Sequence, residues 1–75
     1  MAAVEKSRSP ELERFARNFR NARRSAHLSQ RDVHRRTGLA VSYVSGVESG
    51  RNISIDKASL LADAVGVPLH QLLAP

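Results

Sequence analysis

Residues 29–51, SQRDVHRRTGLAVSYVSGVESGR, decide how this chain folds. Ser29 is a good helix N-cap, Asp32 stands three residues on where its carboxylate can reach back, and Leu28 and Val33 occupy the positions of a hydrophobic staple. These signals predict a helix that starts at Gln30. It stops near Arg36 or Thr37, because Gly38 supplies the left-handed residue that often follows a helix. The connection that follows is too short for anything but closely packed helices.

A second helix is predicted over about 41–48. At 100° per residue, Val44 and Val47 share one side and face inward. Ser42, Ser45 and Gly46 lie opposite, Val41 and Tyr43 flank them, and Ser49-Gly50 ends the helix. Small polar residues are common on any short surface helix. Here they follow a tight glycine turn, and together the two helices form a helix-turn-helix, whose second member approaches base pairs in the major groove of double-stranded DNA.

Working outward, Ser9 and Pro10 open a preceding helix, with Glu11 and Glu13 at the positive end of its dipole. Leu12, Phe15, Phe19, Ala22 and Ala26 form its core stripe. A fourth helix follows Ser54, with Asp56 in its first turn, and runs through Ala58, Leu61, Ala62 and Val65 to Gly66; a short fifth carries Leu69, Leu72 and Leu73 after Pro68. The fold class expected is all-α, a compact five-helix domain over residues 9–75 preceded by a flexible basic arm, residues 1–8. At 75 residues the chain is near the lower limit for a single unstapled core. It has no cysteine, which removes disulfides and thiolate metal sites. Residues 1–10 carry charges and no apolar run, and no segment suits a membrane span, so no leader and no membrane association are expected and the place of action is cytoplasmic, at the nucleoid.

The net charge of +5 is unevenly spread: residues 1–38 hold ten of the twelve Lys and Arg against four acids, and residues 39–75 hold two against three. Arg14, Arg17, Arg20, Arg23 and Arg24 on the first helix, with Arg31, Arg35 and Arg36 around the turn, supply a surface for phosphate contact; the bland alternative is a solvated face. Arg23 is the exception. It falls inside the apolar arc of its helix, between Phe19 and Ala16, and a buried guanidinium demands a partner. Glu48, at the edge of the buried face of the third helix, is the candidate for a structural ion pair.

From about Phe15 to Leu73 the chain resembles the Xre-type, lambda-repressor-like helix-turn-helix family. The resemblance rests on Leu28-Ser29-Gln30, Gly38-Leu39, Tyr43-Val44-Ser45-Gly46-Val47-Glu48 with Gly50 after it, and Ala62-x-Ala64-Val65-Gly66-Val67. With Arg51-Asn52-Ile53-Ser54 following, it is closer to the small controller proteins of restriction-modification systems than to phage repressors. The resemblance implies that Gln30 binds a backbone phosphate, that Arg23 and Glu48 pair, that Val41, Ser42, Ser45 and Gly46 face bases, and that Tyr43 and Arg51 contact the sugar-phosphate backbone. It also implies a two-fold homodimer on an inverted repeat, its interface built from the last two helices. Leu60, which faces away from the apolar stripe of its own helix, and Leu73 are the interface residues expected; Leu69 and Leu72 close the monomer core.

Three positions depart from the family pattern. His34 stands where alanine usually permits close helix crossing, so either the crossing angle changes or Gly46 makes room. Ala40 takes the N-cap of the third helix and leaves it weakly capped. Val41 replaces a long polar side chain; it can meet a thymine methyl but cannot read guanine, which shifts specificity toward groove shape.

Nothing points to catalysis, a cofactor or a metal. His27, His34 and His70 share no ligand spacing and pair with no nucleophile. Gly46-x-Glu48-x-Gly50 is a helix end, not a phosphate loop, because no strand precedes it. One tyrosine offers poor stacking for single-stranded RNA. The function expected is sequence-specific transcriptional regulation, with repression by promoter occlusion and activation through RNA polymerase both open. The competitor is an antitoxin that silences a partner toxin and represses its own operon; against it, no extension beyond Pro75 is expected to serve a toxin.

Overall fold

The computed structural model describes residues 9–75; the expected arm, residues 1–8, lies outside them. Five helices follow one another: α1 (Pro10–Ser25), α2 (Gln30–Thr37), α3 (Val41–Glu48), α4 (Ile55–Val65) and α5 (Leu69–Leu72). Their starts are chemical. Ser9 Oγ accepts from Leu12 N at 3.0 Å and Ser54 Oγ from Lys57 N at 3.1 Å. At α2 a full capping box forms, with Asp32 N donating to Ser29 Oγ at 2.9 Å and Ser29 N donating to Asp32 Oδ2 at 2.8 Å. These bonds, aided by Arg35 Nη1 at 2.9 Å, hold the Asp32 carboxyl below the usual carboxylate range.

Phe15, Phe19, Val33, Val44, Val47 and Leu61 are fully buried, drawing one core from α1 to α4. Each such side chain contributes about 1.5–3 kcal/mol by leaving water. The Phe15 and Phe19 rings stack with centroids 6.0 Å apart. Ala26 departs from the expected stripe: it is the C-cap of α1 and exposed, because the helix has already ended. The next residue, His27, takes φ 59°, the left-handed conformation usually left to glycine. Its N–H reaches Arg24 O at 2.9 Å and that of Leu28 reaches Arg23 O at 3.1 Å, the paired bonds of a Schellman end.

The α2–α3 turn, which sets the angle of the functional helix, uses Gly38 at φ 79°. Side chains close it. Thr37 Oγ1 donates to Val33 O at 2.8 Å and accepts from Leu39 N at 3.1 Å, while His34 Nδ1–H donates to Leu39 O at 2.8 Å. The histidine that departs from the family pattern thus works as a tie across the turn.

α5 has only four residues and cannot hold itself together. α1 holds it: Arg14 Nε donates to Leu73 O at 3.0 Å, and Asn18 Nδ2 to Leu72 O and Ala74 O at 3.1 and 2.8 Å. Leu72 enters the core, and Leu69 and Leu73 pack half-buried against it. Leu73 therefore offers less free apolar surface than its sequence context suggests. Leu60 is 39% exposed, and Ile55, which the apolar pattern did not flag, is 70% exposed.

Candidate nucleic-acid interface

α3 buries Val44 and Val47 and leaves Ser42 and Ser45 exposed, with Val41, Tyr43 and Gly46 half-buried. Ala40 supplies no side-chain cap, so the helix starts on the bond from Val44 N to Ala40 O alone, at 3.0 Å. Its outer face is short, uncharged and shallow. A surface of that shape lets a helix backbone come close to base edges.

The end of α3 shapes the same face. Gly50, at φ 94°, closes a turn in which Gly50 N donates to Val47 O and Arg51 N to Gly46 O, each at 3.0 Å. Only a residue that tolerates this φ sends the chain back over the helix. Arg51 then lies along α3 with its guanidinium carbon 4.6 Å from the centre of the Tyr43 ring. A methyl group on Gly46 would come within 2.9 Å of Arg51 Cδ. Gly46 therefore makes room for Arg51. Tyr43, Gly46 and Arg51 form one unit, a connection that sequence spacing alone did not bring out.

Behind this face a polar cluster joins three helices. Arg23 Nε and Nη2 donate to Glu48 Oε2 and Oε1 at 2.6 and 3.1 Å, a bidentate pair with side chains only 12% and 7% exposed. Arg23 Nη1 also donates to Leu28 O at 2.8 Å. The Glu48 bond raises the Arg23 pKa above its ordinary value against the opposing effect of burial. Gln30 Nε2 completes the cluster by donating to Glu48 Oε1 at 3.1 Å. Its amide is thereby fixed beside α3 at the positive end of α2. Arg31, the next residue, is exposed on the same first turn.

The arginines do not all serve one surface. Arg14 binds Leu73 O, Arg23 is consumed by Glu48, and Arg36 Nη1 donates to Ala64 O at 2.9 Å. Those three are structural, which corrects the reading of Arg14 and Arg36 as phosphate ligands. On the far flank of α3, Tyr43, Asn52, Ser54 and Lys57 line a concavity of about 390 Å³. Its donors surround the first turn of α4. Among the described residues no cluster of His, Asp or Glu could hold a metal ion, and no helix is long and apolar enough to cross a membrane.

Comparison with known proteins agrees with this geometry. A helix-turn-helix family model matches residues 19–72. The Neisseria hypothetical transcription factor of Neisseria meningitidis serogroup B is 41% identical over 62 residues, which is 81% of this chain and 58% of that protein, so the chain spans little more than half its length. An uncharacterized HTH-type transcriptional regulator of Sinorhizobium fredii is 37% identical over 59 residues, 77% of each chain. Among solved structures, hypothetical transcription factor NHTF from Neisseria superposes with a TM-score of 0.81 at 36% identity, covering 87% of this chain and 76% of that one. The restriction-modification controller protein C.AhdI from Aeromonas hydrophila gives 0.77 at 35% identity, covering 85% and 98%. The controller protein C.Esp1396I, solved as a tetramer in complex with its natural 35 base-pair operator, shares the fold with a TM-score of 0.78 at 23% identity, covering 87% and 91%.

Proposed function

The chain belongs to the Xre-like helix-turn-helix family of DNA-binding transcriptional regulators, and from that premise we propose that it acts as a homodimer on an inverted-repeat operator, with α3 in the major groove. The observation that carries this reading is the shallow Ser42–Ser45 face of α3, flanked by polar donors on both sides. Val41, Ser42, Ser45 and Gly46 meet base edges. Gln30, Arg31, Tyr43 and Arg51 hold phosphates. Serine discriminates bases weakly and valine only recognises a thymine methyl, so groove shape carries a large share of specificity.

A dimer matches the exposed apolar surface. Ile55 and Leu60 on α4 are open to solvent, and a second copy would cover them. Leu73, which lines a concavity together with Ile55, contributes its remaining surface. Two-fold pairing would set two copies of α3 about 34 Å apart, one helical turn of DNA. The antitoxin reading would place a different protein on Ile55 and Leu60. Sedimentation of the parent and of Leu60→Glu separates the two: a micromolar dimer that the substitution dissociates supports the homodimer, and a parent that stays monomeric refutes it.

Footprinting on the DNA upstream of the protein's own gene, with excess competitor DNA, tests the reading as a whole. Protection of an inverted repeat with half-sites about one helical turn apart is expected. Uniform coverage erased by competitor would refute sequence-specific recognition at that site.

A further inference from the structure

We propose that α1 carries a second phosphate-binding track, formed by Arg20 and Arg24 with Arg17 beyond them, that extends the contact with duplex DNA past the recognition helix. The proposal rests on the reading that duplex DNA is the ligand of α3. Its own evidence is a groove. A concavity of about 250 Å³ places Arg20 and Arg24 together with Gln30, Ser45 and Ser49. A second, of about 440 Å³, continues from Arg20, Arg24 and Ser49 to Arg17, Asn21 and Gly50, with Glu13 and the Arg23-paired Glu48 also in its lining. The two share residues, so the surface that begins at the exposed serines of α3 runs on without a break along α1.

The charge in this groove is not used by the fold. Arg14, Arg23 and Arg36 each bind an internal acceptor, whereas Arg17, Arg20 and Arg24 form no ion pair among the described residues and are exposed. Arg20 and Arg24 are also four residues apart on one helix, a spacing at which like charges repel. An anion lying between them removes that repulsion. From Arg17 to Arg24 the helix rises roughly 10 Å, long enough to pass more than one phosphate of a strand. The strand whose phosphate meets Gln30 therefore continues along α1, with Arg20 and Arg24 on the next phosphates and Arg17 at the outer end. Such contacts carry no base information: they raise affinity for every sequence alike and set the register of the domain.

The test is the salt dependence of binding to a fluorescein-labelled 40 base-pair duplex of mixed sequence, from 50 to 200 mM salt. Each phosphate contact contributes a log–log slope of roughly −0.9. Arg20→Gln/Arg24→Gln is expected to bind more weakly, with a slope shallower by about 1.8 per bound subunit and so about 3.6 for a homodimer, whose deficit relative to the parent narrows about 150-fold across that range. Arg36→Gln, which removes one positive charge at a residue already engaged by Ala64 O, is expected to keep the parent slope. Helical circular dichroism and melting, read on all variants, establish that each is folded. A folded double variant with the parent slope would overturn the track and leave the role of α3 intact. A parent that failed to bind duplex DNA at 50 mM salt would overturn the role of α3 and the track with it.

Discussion

Glu48→Ala tests whether one side chain holds three helices in register. Glu48 accepts two bonds from Arg23 and one from Gln30, and the pair is nearly closed to solvent at 12% and 7% side-chain exposure. Values for surface pairs, about 0–1 kcal/mol, therefore do not apply. Removing one partner of a buried pair costs roughly 3–5 kcal/mol, because the other charge is left without compensation. Arg23 would retain only Leu28 O, and the residual exposure puts the cost near the lower end. A 75-residue domain has roughly 4–11 kcal/mol of total stability. At about 4–8 °C per kcal/mol, a loss near 3 kcal/mol lowers the melting temperature by roughly 12–24 °C. Thermal melting followed by circular dichroism reads this directly. Glu48→Gln, which keeps an acceptor and loses the charge, should fall between parent and alanine. Arg23→Met/Glu48→Leu, which replaces the pair by apolar groups, should recover to within about 1 kcal/mol of the parent. It should still bind DNA more weakly, since Gln30 has lost its anchor. A Glu48→Ala protein melting within 3 °C (~0.5 kcal/mol) of the parent would refute the reasoning.

Three further expectations address separate parts of the molecule. His27→Gly removes a left-handed backbone penalty at an exposed position and should raise stability by up to about 1 kcal/mol, seen as a higher urea midpoint at unchanged slope. Gly46→Ala should leave the domain as stable or up to about 1 kcal/mol more so, through helix propensity, because the obstructing atoms belong to a flexible arginine; DNA affinity measured by anisotropy should fall as Arg51 is pushed off Tyr43. The depressed Asp32 pKa means that its contribution is complete above the ordinary aspartate range and is lost as pH drops through the folded-state value. Melting temperature should accordingly decline more between pH 7 and pH 3 for the parent than for Asp32→Asn, which lacks that titrating group.

What could be read from the chain follows the range of the interactions. Caps, turn glycines and the 3.6-residue stripe are local, and Ser9, Ser29, Ser54, Gly38 and Gly66 mark helix limits that match the observed ones. Arg23 was legible at a distance because its angular position conflicted with its charge, and Glu48 was the acid that could answer it. Arg14, Asn18 and Arg36 gave no such warning. Their acceptors are backbone carbonyls 28 to 59 residues away, and a carbonyl carries no side-chain signature. His27 was hidden for a related reason, since a Schellman end is expected at glycine and histidine seldom marks one. The Arg51–Gly46 contact needed the course of the chain after Gly50. Spacing on a helical wheel ends where the helix ends.

α1 shows why net charge is a poor guide to a binding surface in so small a domain. Its basic residues divide by face: Arg14, with Asn18, anchors α5, Arg23 anchors α3, and Arg17, Arg20 and Arg24 turn outward beside α3. Equal charges thus have unequal consequences. Losing Arg14 or Arg23 strips partners from groups inside the fold, so the effect on DNA binding follows from a displaced helix. Losing Arg20 or Arg24 removes only charge at the surface and relieves their mutual repulsion, so binding should weaken while the melting temperature does not fall. A plot of affinity loss against melting-temperature loss for single arginine-to-glutamine variants along α1 should therefore split into two groups. If all variants fell on one line, the helix would be acting through net charge alone, and the division of its faces would have no functional meaning.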